Sequence, residues 1–190
     1  MKIDVLESTP FSLKAKISGS SFNFVNAMRR VAMSSIPTMA IDTVTFYDNT
    51  SAMFDEYIAH RLGLVPLKTP KGFSEDDAVL FSLVEEGPKT VYSKDLKSNE
   101  KEVSVANPNI PIIKLADKQS IRLDAKAILG RGSKSSKFQP GLATYKSDDK
   151  GDMFEFYIES FGQIPAPEIL SRALDIISAN VKEIHKELKK

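Results

Sequence analysis

The chain has 190 residues, 42% of them hydrophobic, with 26 basic and 25 acidic side chains, a formal net charge of +1 and no cysteine. That length suits one domain or two small ones, and the near balance of charge argues against a stand-alone nucleic-acid binder, which carries a basic excess. The absence of cysteine excludes disulfides, thiolate metal sites and cysteine-held iron–sulfur clusters; the opening MKIDVLES is no signal peptide and no apolar run reaches membrane-spanning length, so a soluble cytoplasmic protein is expected.

Residues 3–6 and 11–17 predict a hairpin about Ser8, Thr9 and Pro10. In its second strand Phe11, Leu13, Ala15 and Ile17 face one way and Ser12, Lys14, Lys16 and Ser18 the other, the alternation of a half-buried antiparallel strand. The stretch from 20 to 44 then organises the chain as a cap, a helix and a buried strand. Ser20 and Ser21 offer side-chain oxygens to a first turn. Phe24, Met28, Val31 and Ile36 recur at roughly helical spacing, with Val25 and Ala32 beside them. Pro37 ends the helix by pushing Ile36 out of the α region, and Met39, Ile41 and Val44 belong to a covered strand running to residue 47. Asn23, Asn26, Arg29 and Arg30 are the only strongly polar residues of this helix before Ser34, too few for a freely solvated face. Either the helix is buried or it meets another chain.

From residue 50 the pattern changes. Thr50 or Ser51 is expected to cap a short helix whose inner stripe is Phe54, Ile58 and Leu62, ended by Gly63 and Pro66. Glu56 and His60, four apart, have the spacing of two metal ligands on one helix face. A site needs more ligands and the only other histidine is His185, so a structural helix is the reading.

Between 68 and 150 come short strands and polar turns: an apolar-rich strand at 79–84, edges at 90–96 and 102–105, and a proline-containing edge or extended loop at 110–112. In 120–129, Ile121, Leu123, Ala125, Ala127 and Leu129 alternate with Arg122, Asp124 and Lys126. The run Gly130, Arg131, Gly132, Ser133, Lys134 fails the Walker spacing and reads as a mobile basic loop. After a polar turn at 146–152, alternation returns with Phe154, Phe156 and Ile158 opposite Glu155, Tyr157 and Glu159; this strand is expected to pair with the N-terminal hairpin.

Pro165 and Pro167 open the last helix, with Glu168 beside its positive end. Leu170, Leu174, Ile177, Val181, Ile184 and Leu188 are spaced alternately four and three, a heptad seam. Ile169, Ala173 and Ile176 add a second stripe, and two stripes favour a second surface besides the helix's own sheet. Lys186, Lys189 and Lys190 make the tail basic.

Several stretches carry a family resemblance: Asn26 to Arg30 (NAMRR), Ile36 to Ile41 (IPTMAI), Asp55 and Glu56 with Ala59 to Leu64 (AHRLGL), Leu129 to Gly132 with Lys137 to Pro140, and Glu159 to Gly162 (ESFG). In order and together they resemble the α-like D subunits of archaeal DNA-directed RNA polymerase, counterparts of the bacterial α subunit and the eukaryotic third-largest subunit. Two departures stand out. Relatives often carry a histidine between the loop glycines and Lys137, where this chain has Ser133, Lys134, Ser135 and Ser136. Many also insert a cysteine-rich, ferredoxin-like domain near residues 146–152, which this chain crosses in a few residues, so the resemblance implies no cluster and no cofactor here.

The expected fold is α+β, a two-domain RNA polymerase α-like fold. A discontinuous dimerisation domain of residues 1–47 and 152–190 holds a sheet and two long helices, and residues 48–151 form a mostly β insert. The resemblance implies a non-catalytic assembly subunit that pairs with a small α-like subunit, L. The pair then forms a platform for the second-largest subunit and the small subunits N and P. It places the dimer contact on Phe24, Met28, Val31 and Ala32 and on the seam Leu170, Leu174, Ile177, Val181, Ile184 and Leu188, with Arg29 and Arg30 toward the second-largest subunit. No nucleophile–base pair, carboxylate pair or ligand cluster points to an enzyme. The competing reading is a nucleic-acid binder using Arg131, Lys134 and Lys137 with Phe138.

Overall fold

Three helices and ten strands follow in chain order in a computed structural model that describes residues 1–74, 76–149 and 151–189; expectations touching residues 150 and 190 fall outside these. The elements are β1 (Lys2–Ser8), β2 (Ser12–Ser18), α1 (Phe22–Ser34), β3 (Pro37–Asn49), α2 (Asp55–Gly63), β4 (Ala78–Glu86), β5 (Lys89–Tyr92), β6 (Lys97–Ser98), β7 (Pro111–Leu115), β8 (Ser120–Arg131), β9 (Gly141–Ser147), β10 (Met153–Ser160) and α3 (Ala166–Glu187). They divide into two compact units, Met1–Pro37 with Arg131–Lys190, and Thr38–Gly130.

The first unit is a four-stranded sheet in the order β1-β2-β10-β9, antiparallel throughout, with two helices packed on it. Its core joins Leu13 and Ile17 of β2, Phe154, Phe156 and Ile158 of β10, and apolar residues of α1 and α3. The expected pairing of residues 153–160 with the hairpin is present, Phe156 opposite Ala15 and Ile158 opposite Leu13. Phe11 is a correction: it precedes β2 and is 63% exposed, because strand alternation no longer governs a residue in the turn. There Thr9 Oγ1 accepts the Ser12 N–H at 2.8 Å and Thr9 N–H donates to Ser12 O at 2.8 Å.

The second unit has a sheet in the order β3-β8-β4-β6 and a separate antiparallel ribbon of β5 and β7. β8 buries Ile121, Leu123, Ala125 and Ala127 as its alternation predicts, and Phe81 of β4, 1% exposed, lies opposite Ala125. The strand expected at 90–96 ends at Tyr92, where Asp95 Oδ2 accepts the Tyr92 N–H at 2.7 Å and turns the chain into a short 3₁₀ turn, Ser93–Asp95. Residues 102–105 contribute only a bridge between Leu67 and Val105.

The units meet the chain at different places from residues 47 and 152. β3 hydrogen-bonds to β8 and so belongs with the second unit, while β9 hydrogen-bonds to β10 and belongs with the first. β9 escapes a sequence reading because Gly141 and Ala143 are its only fully buried residues.

α2 also differs from expectation. Thr50 and Ser51 bond elsewhere, Ser51 Oγ to Asn49 Oδ1 at 2.5 Å and Thr50 Oγ1 to the Ser120 N–H at 2.7 Å. Phe54 is the N-cap position and is 72% exposed, so the inner stripe reduces to Ile58 and Leu62, both 0% exposed. What pins the helix is Arg61, whose guanidinium donates from Nε to Ile112 O at 2.9 Å and from Nη2 to Pro111 O. These carbonyls lie at the start of β7, so Arg61 ties α2 to a two-stranded ribbon that would be marginal alone. Arg61→Ala is expected to cost about 1.5 kcal/mol in urea unfolding, the low end for bonds to a charged donor because the site is partly open. Arg61→Lys should recover only part of that, since an ammonium lacks the planar fork.

Candidate subunit interface

α1 begins as its sequence demands: Ser21 Oγ accepts the Phe24 N–H at 3.3 Å, and the helix stops at Ser34 ahead of Pro37. The helix packs against α3 and β9. Met28 and Ala32, 0% and 1% exposed, lie in the unit's own core beside Val25. This corrects their expected place on a partner surface, because a side chain already enclosed by its own chain has no area left to offer another. Phe24 and Val31 are half-buried against the same core and keep an open side.

α3 shows the clearest division of surface. Ala166, Ile169, Leu170 and Ala173 are buried, while Leu174, Ile176 and Ile177 are half-buried against the core. From residue 178 to 189 every residue is exposed. The heptad seam therefore does three things along its length: Leu170, 7% exposed, belongs to the unit's own core, a second correction; Leu174 and Ile177 straddle the edge; Val181, Ile184 and Leu188 stand at 60%, 61% and 81% exposure. The helix is 22 residues long, about 33 Å at 1.5 Å per residue, and its last turns are exposed. Its root is braced by Arg172, which donates through Nε and Nη2 to Glu168 Oε1 at 3.2 and 3.0 Å.

The two arginines of α1 differ. Arg29 is half-buried and donates through Nε and Nη2 to Asn26 Oδ1 at 3.2 and 3.1 Å, which fixes the plane of its guanidinium; Arg30 is exposed.

The basic loop after β8 is hydrogen-bonded to the end of α1 and across its own turn. Ser133 N–H donates to Ser34 O at 2.9 Å, and Lys134 N–H to Arg131 O at 2.9 Å. Phe138, at the base of the loop, is fully buried and has the Lys137 ammonium 5.1 Å from its ring centre. A buried ring cannot stack on a base, so the nucleic-acid reading loses its aromatic platform.

Glu56 and His60 are exposed on α2, and among the described residues no group of three or more His, Cys, Asp or Glu side chains is placed to hold a metal ion. No helix among the described residues is long and apolar enough to cross a membrane. A surface that sequence reasoning missed lies on the outer side of α2, where Phe54, Tyr57 and Leu64 are 72%, 64% and 54% exposed and the two rings sit 6.3 Å apart. The signal in the sequence was Tyr57, an aromatic residue that the expected stripe of Phe54, Ile58 and Leu62 left unused.

A family model described as the RNA polymerase Rpb3/RpoA insert domain matches residues 39–144. The DNA-directed RNA polymerase subunit Rpo3 of Methanocaldococcus jannaschii is 45% identical over 189 residues, which covers 98% of this chain and 93% of that protein. The chain belongs to the Rpo3 family of RNA polymerase subunits. The Rpo3 subunit of Thermococcus kodakarensis is 48% identical over 153 residues, 77% of this chain and 59% of that protein. For Halobacterium salinarum the figures are 49% over 120 residues, 63% of this chain and 48% of the relative. The chain thus spans nearly the full Methanocaldococcus relative but about half to three fifths of these others. The insert-domain match begins one residue inside the second unit and runs on into β9. These relatives are archaeal subunits of DNA-directed RNA polymerase.

Proposed function

We propose that this chain is a non-catalytic assembly subunit of an archaeal DNA-directed RNA polymerase, of the α-like D type without a cysteine-rich insertion. The first unit is its dimerisation domain, pairing with the small α-like subunit L, and the second is the insert domain. The pair carries the second-largest subunit and the small subunits N and P, in the cytoplasm, while phosphodiester chemistry stays with the two largest subunits. No iron–sulfur cluster enters this reading, because the chain supplies no cysteine.

The observation that carries the proposal is the end of α3. Val181, Ile184 and the C-cap residue Leu188 stand 60–81% exposed at the end of a helix whose other large apolar residues lie in or against a core. An aliphatic row on a projecting helix is stable in water only at a cost, and a second helix laid along it removes that cost. Phe24, Val31, Leu174 and Ile177, half-buried against the core, complete the proposed contact, with Met28, Ala32 and Leu170 buried in that core.

Co-expression tests this directly. With the small α-like subunit the chain should elute as a one-to-one complex; alone it should self-associate through the uncovered row. A monodisperse monomer that ignores the small subunit would sink the proposal. Arg30→Ala should leave that complex intact and weaken capture of the second-largest subunit, by about 2 kcal/mol or more if the guanidinium is desolvated in the assembly. Arg29→Ala should do the same and also release Asn26. Pull-down with the purified pair reads both, and unchanged capture by both variants would reject the arginine assignment.

A further inference from the structure

Charge along this chain is balanced in total but not in place. Residues 8–41 contain no aspartate or glutamate, and neither do residues 125–147, although the whole chain has 25 of them. Within the first unit the fold joins the parts of these stretches before residue 38 and after residue 130. Ser133 N–H donates to Ser34 O at 2.9 Å, and Ser34 Oγ donates to Arg30 O at 2.7 Å, one turn back along α1. The approach is so close that a Cβ on Gly132 would lie 2.3 Å from Met33 O, a backbone atom that cannot swing aside. Glycine is required there for contact, and the contact fixes where Arg131, Lys134 and Lys137 stand relative to Arg30.

We infer that the loop of residues 131–137 and the C-terminal end of α1 form one cationic surface that receives a carboxylate-rich segment of the second-largest subunit. The inference rests on the proposed function, which already directs Arg30 to that subunit, and extends the contact to a loop to which nothing else gives a role. Three features favour protein carboxylates as the ligand. The loop is held by its own turn and by the buried Phe138, so its cations are pre-positioned and little ordering is needed on binding. The guanidinium of Arg30 is exposed and able to take a carboxylate through two parallel bonds. Nucleic acid fits less well, because Phe138 is unavailable for stacking and the net charge of the chain is only +1.

The test uses the chain co-expressed with the small α-like subunit, comparing wild type with the double reversal Lys134→Glu, Lys137→Glu. Formation of the one-to-one pair and an unchanged melting temperature establish that the variant folds. Affinity of each pair for the purified second-largest subunit is then measured at about 0.1 M and about 1 M salt, where the screening length falls from about 10 to about 3 Å. The expected result is a loss of about tenfold or more for the variant at low salt, shrinking at high salt. A milder variant, Lys134→Ala, should fall between the two.

Equal affinity of the wild-type and reversed pairs, with both still binding, overturns this inference and leaves the assembly reading standing. No binding by the wild-type pair overturns both. If the wild-type pair retains a short DNA duplex at physiological salt and the reversal abolishes that while sparing the second-largest subunit, the surface is a phosphate site and the inference fails.

Discussion

Ile184→Asp is expected to cost the chain its small partner while leaving its own fold nearly untouched. Ile184 is 61% exposed on the free end of α3, so the isolated chain loses little packing. A carboxylate in the last turn of a helix opposes the helix dipole and has modest helix propensity, together worth about 1 kcal/mol at most. In the complex the same change removes the burial of an isoleucine, about 2 kcal/mol, and desolvates an unpaired charge, which costs several more. A combined penalty of about 4 kcal/mol lowers affinity roughly a thousandfold. Glu183→Lys, one residue away but turned about 100° from the seam, should leave the affinity within a few-fold of wild type. Ile177→Asp should behave differently from both, since Ile177 is half-buried against the chain's own core and the substitution would weaken fold and complex together. Titration of the purified small subunit, with melting curves of each variant, separates the three. If Ile184→Asp binds like wild type, the end of α3 is not the contact.

The reason that seam was legible in the sequence, and its partition was not, lies in what periodicity measures. Spacing alternately four and three puts Leu170, Leu174, Ile177, Val181, Ile184 and Leu188 in one row; the first five lie in α3 and Leu188 is its C-cap. Periodicity gives an angle around the helix axis but no distance along a partner, so it cannot say where the sheet beneath ends. Burial along α3 stops near Ile177, and from residue 178 to 189 every residue is exposed. The same blindness explains Met28 and Ala32. They fall on an apolar face, and a sequence does not say which apolar face packs on α3 and β9 within the chain's own unit.

Strands were legible in proportion to their alternation. β2, β8 and β10 bury every second side chain and read well. β9 buries only a glycine and an alanine, so it shows no apolar alternation even though it pairs with the next strand, β10. The Gly132 contact was illegible for a related reason. A sequence shows that glycine allows unusual backbone angles, whereas here it is needed because the end of α1 passes within reach of its missing Cβ. Such a requirement belongs to two segments about a hundred residues apart, and only the assembled fold states it.

Phe154→Ala should produce the largest loss of stability in the first unit. β10 is an inner strand, hydrogen-bonded to β2 on one side and β9 on the other, so it has no free edge along which to relax. Phe154 is fully buried, facing Ile17 across the sheet register. It also ends an aromatic chain: its ring meets Tyr145 edge-on at 6.1 Å, and Tyr145 meets Phe22 edge-on at 5.5 Å. That chain ties β10 to β9 and β9 to the first turn of α1, which is the element carrying Arg29 and Arg30. Truncating a buried phenylalanine costs about 3–5 kcal/mol from lost transfer energy and the cavity left behind. Edge-to-face pairs are worth about 0.5–1.5 kcal/mol beyond burial, so the upper part of that range is expected here. A domain holds about 5–15 kcal/mol in total, so the variant should retain only a fraction of its folded margin. Tyr157→Ala supplies the control from the same strand. Tyr157 points to the other face, is 38% exposed and lies opposite Lys14 and Thr144, so about 1 kcal/mol or less should be lost. Urea unfolding of both variants in complex with the small subunit measures the difference as a shift of midpoint at constant slope. Equal midpoints would mean that the aromatic face of β10 is not where the first unit keeps its stability.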